Sequence, residues 1–193
     1  MKAWVLYGAD DIRFEEVDKP QPAEDEVIVA VRAAGICGSD IPRIYQTGAH
    51  VHPLIPGHEF SGQVVAAGKT VSKVWENQRV GIFPLIPCRN CVACRTQHYE
   101  LCRSYSYLGS RRDGGFAEYV SVPAWNLIAL PDNVTYEQAA MMEPMAVAVH
   151  AMRSALAGAV DCAKSIAVCG QKYLRHFHDE RFGILIQLRR PQS

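Results

Sequence analysis

Four cysteines in the stretch CRNCVACRTQHYELC, namely Cys88, Cys91, Cys94 and Cys102, follow the spacing C-x2-C-x2-C-x7-C. Four thiolates at the corners of a tetrahedron satisfy zinc and leave no position for a substrate, so the spacing predicts a structural zinc site. The plainer reading is four packed or free thiols, but packing alone rarely places three cysteines at successive three-residue intervals. The chain has seven cysteines, and Cys37, Cys162 and Cys169 stand apart from the cluster. The beginning, MKAWVLYGADDIRFEEV, carries acids early and no long apolar run. It reads as neither signal peptide nor membrane helix, so a reducing, cytoplasmic setting is expected, where a tight cysteine cluster binds metal rather than forming disulfides.

A second set of donors is dispersed. AGICGSD supplies Cys37, PGHEFSG supplies His58 and Glu59, and MMEPMAV supplies Glu143. One thiolate, one imidazole and one carboxylate can hold zinc with a fourth position open, as catalytic zinc requires. Asp40 is placed to accept the second N–H of the His58 ring and so orient it. Each residue also has a plain reading: a single Cys or His usually packs, and Glu143 suits a helix N-terminus. Spacing alone leaves both readings open.

These residues need a scaffold. The first 130 or so positions read as short strands with turn punctuation: 2–7 and 12–17 as a hairpin about Gly8-Ala9-Asp10-Asp11, then 27–31, 63–67, 79–83 and 116–122. After Pro131 the pattern turns helical. Thr135 and Gln138 fit a capping box, residues 139–142 continue that helix, and 143–156 form an apolar helix with Pro144 in its first turn. Residues 165–170 read as a buried strand running into Gly170.

GHEFSGQVVAAGKTV fits the pattern G-H-E-x2-G-x5-G-x2-V of the zinc-dependent medium-chain alcohol dehydrogenases, which the chain resembles over residues 1 to about 169. CGSD and Glu143-Pro144 fall where the polyol-dehydrogenase branch has them. ICGSDIPRIYQTGAH, LIPGHEFSG and LGSRRDGGFAEY are similar, more narrowly, to dehydrogenases of phosphorylated polyols. One departure is Asn77-Gln78-Arg79-Val80 where the family has Gly-Asp-Arg-Val, and Asn tolerates the turn.

The resemblance implies a mainly β fold with helices. A GroES-like, partly open β-barrel catalytic domain would span 1–130, with a zinc lobe at about 86–104. A helical connection (131–164) and the start of a Rossmann domain (165–170) would follow, then a tail (171–193) unlike the family. It also implies NAD-dependent oxidation of a secondary alcohol on a polyol phosphate, with one catalytic and one structural zinc. Cys37 and His58 would be catalytic ligands and Glu143 the favoured third, with Glu59 either a direct ligand or a partner behind one. Ser39 would begin a proton relay, unless its hydroxyl only bonds local backbone. Arg43, Arg111 and Arg112 are candidates for the substrate phosphate. His50 and His52 are not assigned to zinc, and Tyr45 and Trp125 are read as packing residues.

Of the family's G-x-G-x-x-G turn, which lets a pyrophosphate approach a helix N-terminus, only Gly170 is present; position 172 is Lys and the next glycine is Gly183. The nicotinamide site is therefore expected to be largely missing, through a splice, a deletion or a shifted frame. Apolar runs at 146–156, 166–168 and 183–188 then lack their usual cover and favour self-association. The 20 basic and 20 acidic residues balance, so neither nucleic acid nor an anionic membrane is expected as partner.

Overall fold

The protein is described by a computed structural model over residues 1–158. Strands β1 (Lys2–Gly8) and β2 (Asp11–Glu16) form the expected antiparallel hairpin, with Asp10 in the left-handed region at the turn. The main sheet contains β3 (Glu26–Gly35), β4 (Glu59–Ala67), β5 (Arg79–Ile82), β8 (Tyr119–Pro123) and β9 (Leu127–Ala129). It is antiparallel, in the order β8-β3-β4-β5-β9. β8 and β9 are its two edges, so this sheet does not close into a barrel among the described residues. Two short strands, β6 (Leu85–Ile86) and β7 (Ser106–Tyr107), pair to close the base of the cysteine lobe.

One face of the sheet buries Val27, Val29, Phe60, Val64, Val80, Ile82, Leu108, Val120, Val122 and Leu127 as a continuous apolar core. β3 is longer than its apolar run of 27–31 suggests. Two register shifts against β4 let Ala33, Ala34 and Gly35 continue the ladder opposite Ser61, Phe60 and Glu59. The expected strand at 116–122 begins only at Tyr119, and the residues before it reach the hairpin: Trp4 N–H donates to Phe116 O at 2.9 Å and Glu118 N–H to Lys2 O at 3.1 Å, while Glu118 O still accepts from Val31 N–H of β3 at 2.9 Å. Asn77, in the segment that departs from the family pattern, sits at φ 59°, where Asn substitutes well for Gly.

Helix α3 (Tyr136–Ala140) has the predicted capping box, with Gln138 N–H donating to Thr135 Oγ1 at 3.2 Å and Thr135 N–H donating to Gln138 Oε1 at 2.9 Å. Ser61 Oγ donates to Tyr136 O at 2.5 Å and pins this helix to β4. Helix α4 (Met142–Gly158) follows, and Met145, Val147, Val149 and Met152 along it are exposed. The strand expected at 165–170 lies outside the described residues, as do the tail at 171–193 and the last part of the helical connection. No helix among the described residues is long and apolar enough to cross a membrane. Tyr45 and Trp125, both read from sequence as packing residues, are exposed at 42% and 38%, although Trp125 keeps an edge-on contact with Tyr99 at 5.1 Å.

At the start of β3, Glu26 is tied both to β8 and to the loop before it. Its Oε1 accepts from Arg112 Nη2 at 2.7 Å and its Oε2 from Ser121 Oγ at 2.6 Å. Burial raises the Glu26 pKa, but these bonds outweigh it and hold the carboxyl below its ordinary value. That stability is present above the ordinary carboxylate range and lost as pH falls through the lower folded value. Glu26→Gln is expected to cost about 1 kcal/mol at neutral pH and nothing extra in acid. Urea midpoints measured against pH should therefore converge with the parent at low pH; parallel curves would show that the charge does not matter.

Candidate metal centres

Cys88, Cys91, Cys94 and Cys102 have sulfurs all within 4.8 Å of one another. The short helix α2 (Val92–Arg95) carries Cys94, and left-handed residues Arg89 and Gln97 turn the chain on either side. Cys91 Sγ is 3.5 Å and Cys88 Sγ 3.9 Å from Cys94 Sγ, while Cys88 N–H donates to Cys102 Sγ at 3.3 Å. Tetrahedral Zn–S bonds of about 2.3 Å put sulfurs roughly 3.8 Å apart, so the donor set fits zinc with little movement. Backbone N–H groups of Asn90 and Cys91 lower the Cys88 pKa to about 6. Burial, followed by the sulfurs of Cys91 and Cys102, raises Cys94 to about 12. Such a cluster favours a cation that would share its negative charge.

The second group is assembled at the open end of β3 and β4. Cys37, His58 and Glu59 bring one donor atom each to within 4.8 Å of one another. Glu59 opens β4 opposite Gly35, and a Cβ on Gly35 would lie 2.5 Å from Glu59 Oε2. The glycine is there to admit the carboxylate. Just before His58, Gly57 sits at φ +94° against the Phe116 ring, a turn that side chains resist. Asp40, which opens the short helix α1 (Asp40–Pro42), is fully buried and organises the rest: Cys37 N–H donates to its Oδ2 at 3.1 Å, and Arg43 Nη1 donates to its Oδ1 at 2.5 Å. His58 Nδ1 lies 3.5 Å from Asp40 Oδ1, a charge contact without hydrogen-bond geometry, and Nδ1 is otherwise buried without a partner.

Burial opposes a charged His58, yet Asp40 and Cys37 outweigh it and raise its pKa to about 10. Burial also raises Glu59, with Glu143 and Asp40 adding repulsion. A metal ion would take the place of the protons that the imidazole and carboxyl hold in this way, and the three donors suit zinc. Ser39 Oγ donates to Cys37 Sγ at 3.3 Å. Glu143 is near but outside the three-atom cluster, its Oε1 accepting from Tyr107 OH at 3.2 Å. Tyr107 packs edge-on to the His58 ring at 5.7 Å. Burial and Glu143 raise its hydroxyl pKa, so it stays a donor.

The structure thus brings Cys37, His58, Glu59 and Ser39 together, with Glu143 one step away through Tyr107. Sequence reasoning missed Tyr107 and Gly35. No spacing rule points to Tyr107, whereas the glycine before ICGSD could have been read as a site of close approach. The three arginines part company: Arg43 and Arg111 line a cavity of about 380 Å³ with Ser39 and His58, and Arg112 is held by Glu26. His50 lines the same cavity, and His52 Nε2 accepts from Ala49 N–H at 3.1 Å. Gly170 lies outside the described residues.

Residues 23–132 match the alcohol dehydrogenase GroES-like domain, and the chain belongs to that family, the zinc-dependent medium-chain alcohol dehydrogenases. It is 45% identical over 132 residues to galactitol 1-phosphate 5-dehydrogenase of Escherichia coli K12, covering 68% of this chain and 38% of that protein. To sorbitol dehydrogenase of Bombyx mori it is 39% identical over 159 residues, covering 79% and 45%. Among solved structures, galactitol-1-phosphate dehydrogenase from Escherichia coli superposes with a TM-score of 0.77 at 41% identity, over 81% of this chain and 45% of that one. A zinc-binding dehydrogenase from Sinorhizobium meliloti 1021 bound to NADP gives 0.75 at 35% identity, over 79% and 45%. The chain spans less than half the length of these relatives. These relatives are dehydrogenases, which are oxidoreductases.

Proposed function

We propose that the protein serves zinc- and NAD-dependent oxidation of a secondary alcohol on a polyol phosphate, of which galactitol 1-phosphate is the favoured example. The observation that carries this is the cluster of half-buried Cys37 with buried His58 and Glu59, beside a cavity large enough for a sugar alcohol. Zinc held there would supply Lewis acidity toward the substrate hydroxyl. Cys37, His58 and Glu59 would hold the metal, and Asp40 would fix the ring of His58 and the backbone of Cys37. Ser39, already bonded to Cys37 Sγ and lining the cavity, would take up the alcohol proton and pass it toward solvent. Glu143 and Tyr107 would brace the site from one side. The four-cysteine lobe would hold a second, structural zinc. Related polyols such as sorbitol, or a hydroxy amino acid such as threonine, are the nearest alternatives for substrate.

A second reading rests on the residues after Gly170, which lack the remaining glycines of a dinucleotide turn: a zinc-binding chain that holds no nicotinamide. Fluorescence titration of the zinc-loaded chain with NADH separates the two. Saturable micromolar binding, followed by NAD reduction with galactitol 1-phosphate, is the outcome the dehydrogenase reading expects. Zinc retained with no NADH binding up to millimolar would sink autonomous catalysis and leave the zinc-binding reading.

A further inference from the structure

The cavity beside the Cys37, His58 and Glu59 cluster carries positive charge that the metal chemistry does not use. Of the three arginines that the sequence offers for a phosphate, two are neutralised. Arg43 donates to the buried carboxylate of Asp40 at 2.5 Å, and Arg112 donates to Glu26 at 2.7 Å, where it faces a different pocket. Arg111 is exposed and has no carboxylate within ion-pair reach among the described residues. It is nevertheless held in place: its guanidinium lies over the Tyr105 ring, 4.7 Å from the centroid, and its backbone N–H donates to Tyr107 O at 2.9 Å. His50 lines the same cavity and adds a further donor. The one carboxylate on the wall besides the metal cluster is Glu100, which is engaged with His98 Nδ1 at 3.2 Å.

We infer that Arg111 is the specificity residue for a phosphorylated polyol, seating the substrate phosphate in this cavity with His50 beside it. The inference rests on the proposed polyol dehydrogenase reading and deepens it. A phosphate monoester carries about −1.5 to −2 charge at neutral pH and takes a planar guanidinium through two parallel N–H bonds. Arg111 offers that fork without first breaking an ion pair, whereas Arg43 and Arg112 would have to leave theirs. Stacking on Tyr105 limits the rotamer freedom that binding would otherwise cost. The arrangement serves discrimination, because an unphosphorylated polyol would leave the charge of Arg111 facing water.

The test is calorimetric binding of galactitol 1-phosphate and of plain galactitol to the full zinc-loaded chain and to Arg111→Gln, Arg111→Lys and Arg112→Gln. The parent should bind the phosphate ester more tightly than galactitol. Arg111→Gln should weaken the phosphate ester roughly tenfold or more and leave galactitol and zinc content unchanged. Arg111→Lys should recover part of the loss by restoring a point charge, and Arg112→Gln should keep the preference. A preference that survives Arg111→Gln overturns the inference, as does a parent with no preference. If the parent binds both ligands equally, the dehydrogenase reading stands and only the phosphate seat falls. If it binds neither with both zinc sites filled, the two fall together.

Discussion

Cys94→Ser is expected to release one zinc of two and unravel the lobe between β6 and β7, while the main sheet stays folded. Cys94 is 5% exposed and sits 3.5 and 3.9 Å from two of the other sulfurs, so its loss removes the central ligand. Structural zinc in small cysteine sites is worth about 10–16 kcal/mol of apparent binding energy at neutral pH, and that energy is also folding energy for the loop around it. Loss of a direct ligand should exceed the tenfold to hundredfold effect of losing an outer partner. Zinc affinity of the parent should also rise with pH. The ion must displace the proton that burial holds on Cys94 up to about 12, although Cys88 ionises at about 6. Metal analysis and limited proteolysis check this: cleavage should appear within 88–102 in the variant. Full zinc content and an intact lobe in Cys94→Ser would remove the case for a four-sulfur site.

Gly35→Ala should empty the other site and spare the lobe. Gly35 has no left-handed backbone, so alanine fits the strand, but the new Cβ would lie 2.5 Å from Glu59 Oε2 and 3.2 Å from Glu59 Cβ. The free end of a flexible side chain yields before the sheet does, so the carboxylate should swing out of the cluster with Cys37 and His58. Zinc per chain should fall from two to one with little change in the thermal midpoint. A variant that keeps two zinc ions at parental affinity would show that Glu59 is not a ligand. Glu143→Gln would then be expected to lose the metal in its place.

The four-cysteine lobe was legible because all its donors lie on one local loop, and the spacing itself carries the chemistry. The capping box at Thr135 and the hairpin were equally local. What the sequence did not reveal depends on chain crossings. β3 runs on to Gly35 because of register shifts against β4, which no run of apolar residues announces. The choice between Glu59 and Glu143 turns on which carboxylate the strand pairing brings to Cys37. The three arginines were equivalent as letters, and only their carboxylate partners separate Arg111 from Arg43 and Arg112. Beyond residue 158 the reading of Gly170 stands on sequence alone.

The two sulfur-bearing centres also differ in how much of the molecule must exist before they do. The lobe closes on itself: Cys88 N–H reaches Cys102 Sγ 14 residues away, and β6 and β7 pair at its base. The other centre needs β3 laid against β4, so that Gly35 faces Glu59 and Asp40 meets His58. Closing a short loop is fast, whereas distant pairing must wait for the chain between to find its path. Zinc, if it loads both centres as proposed, would therefore do so in order, the lobe filling on a partly folded chain and the Cys37 centre only after the sheet. Under zinc scarcity, molecules would carry the stabilising ion first and the reactive one last.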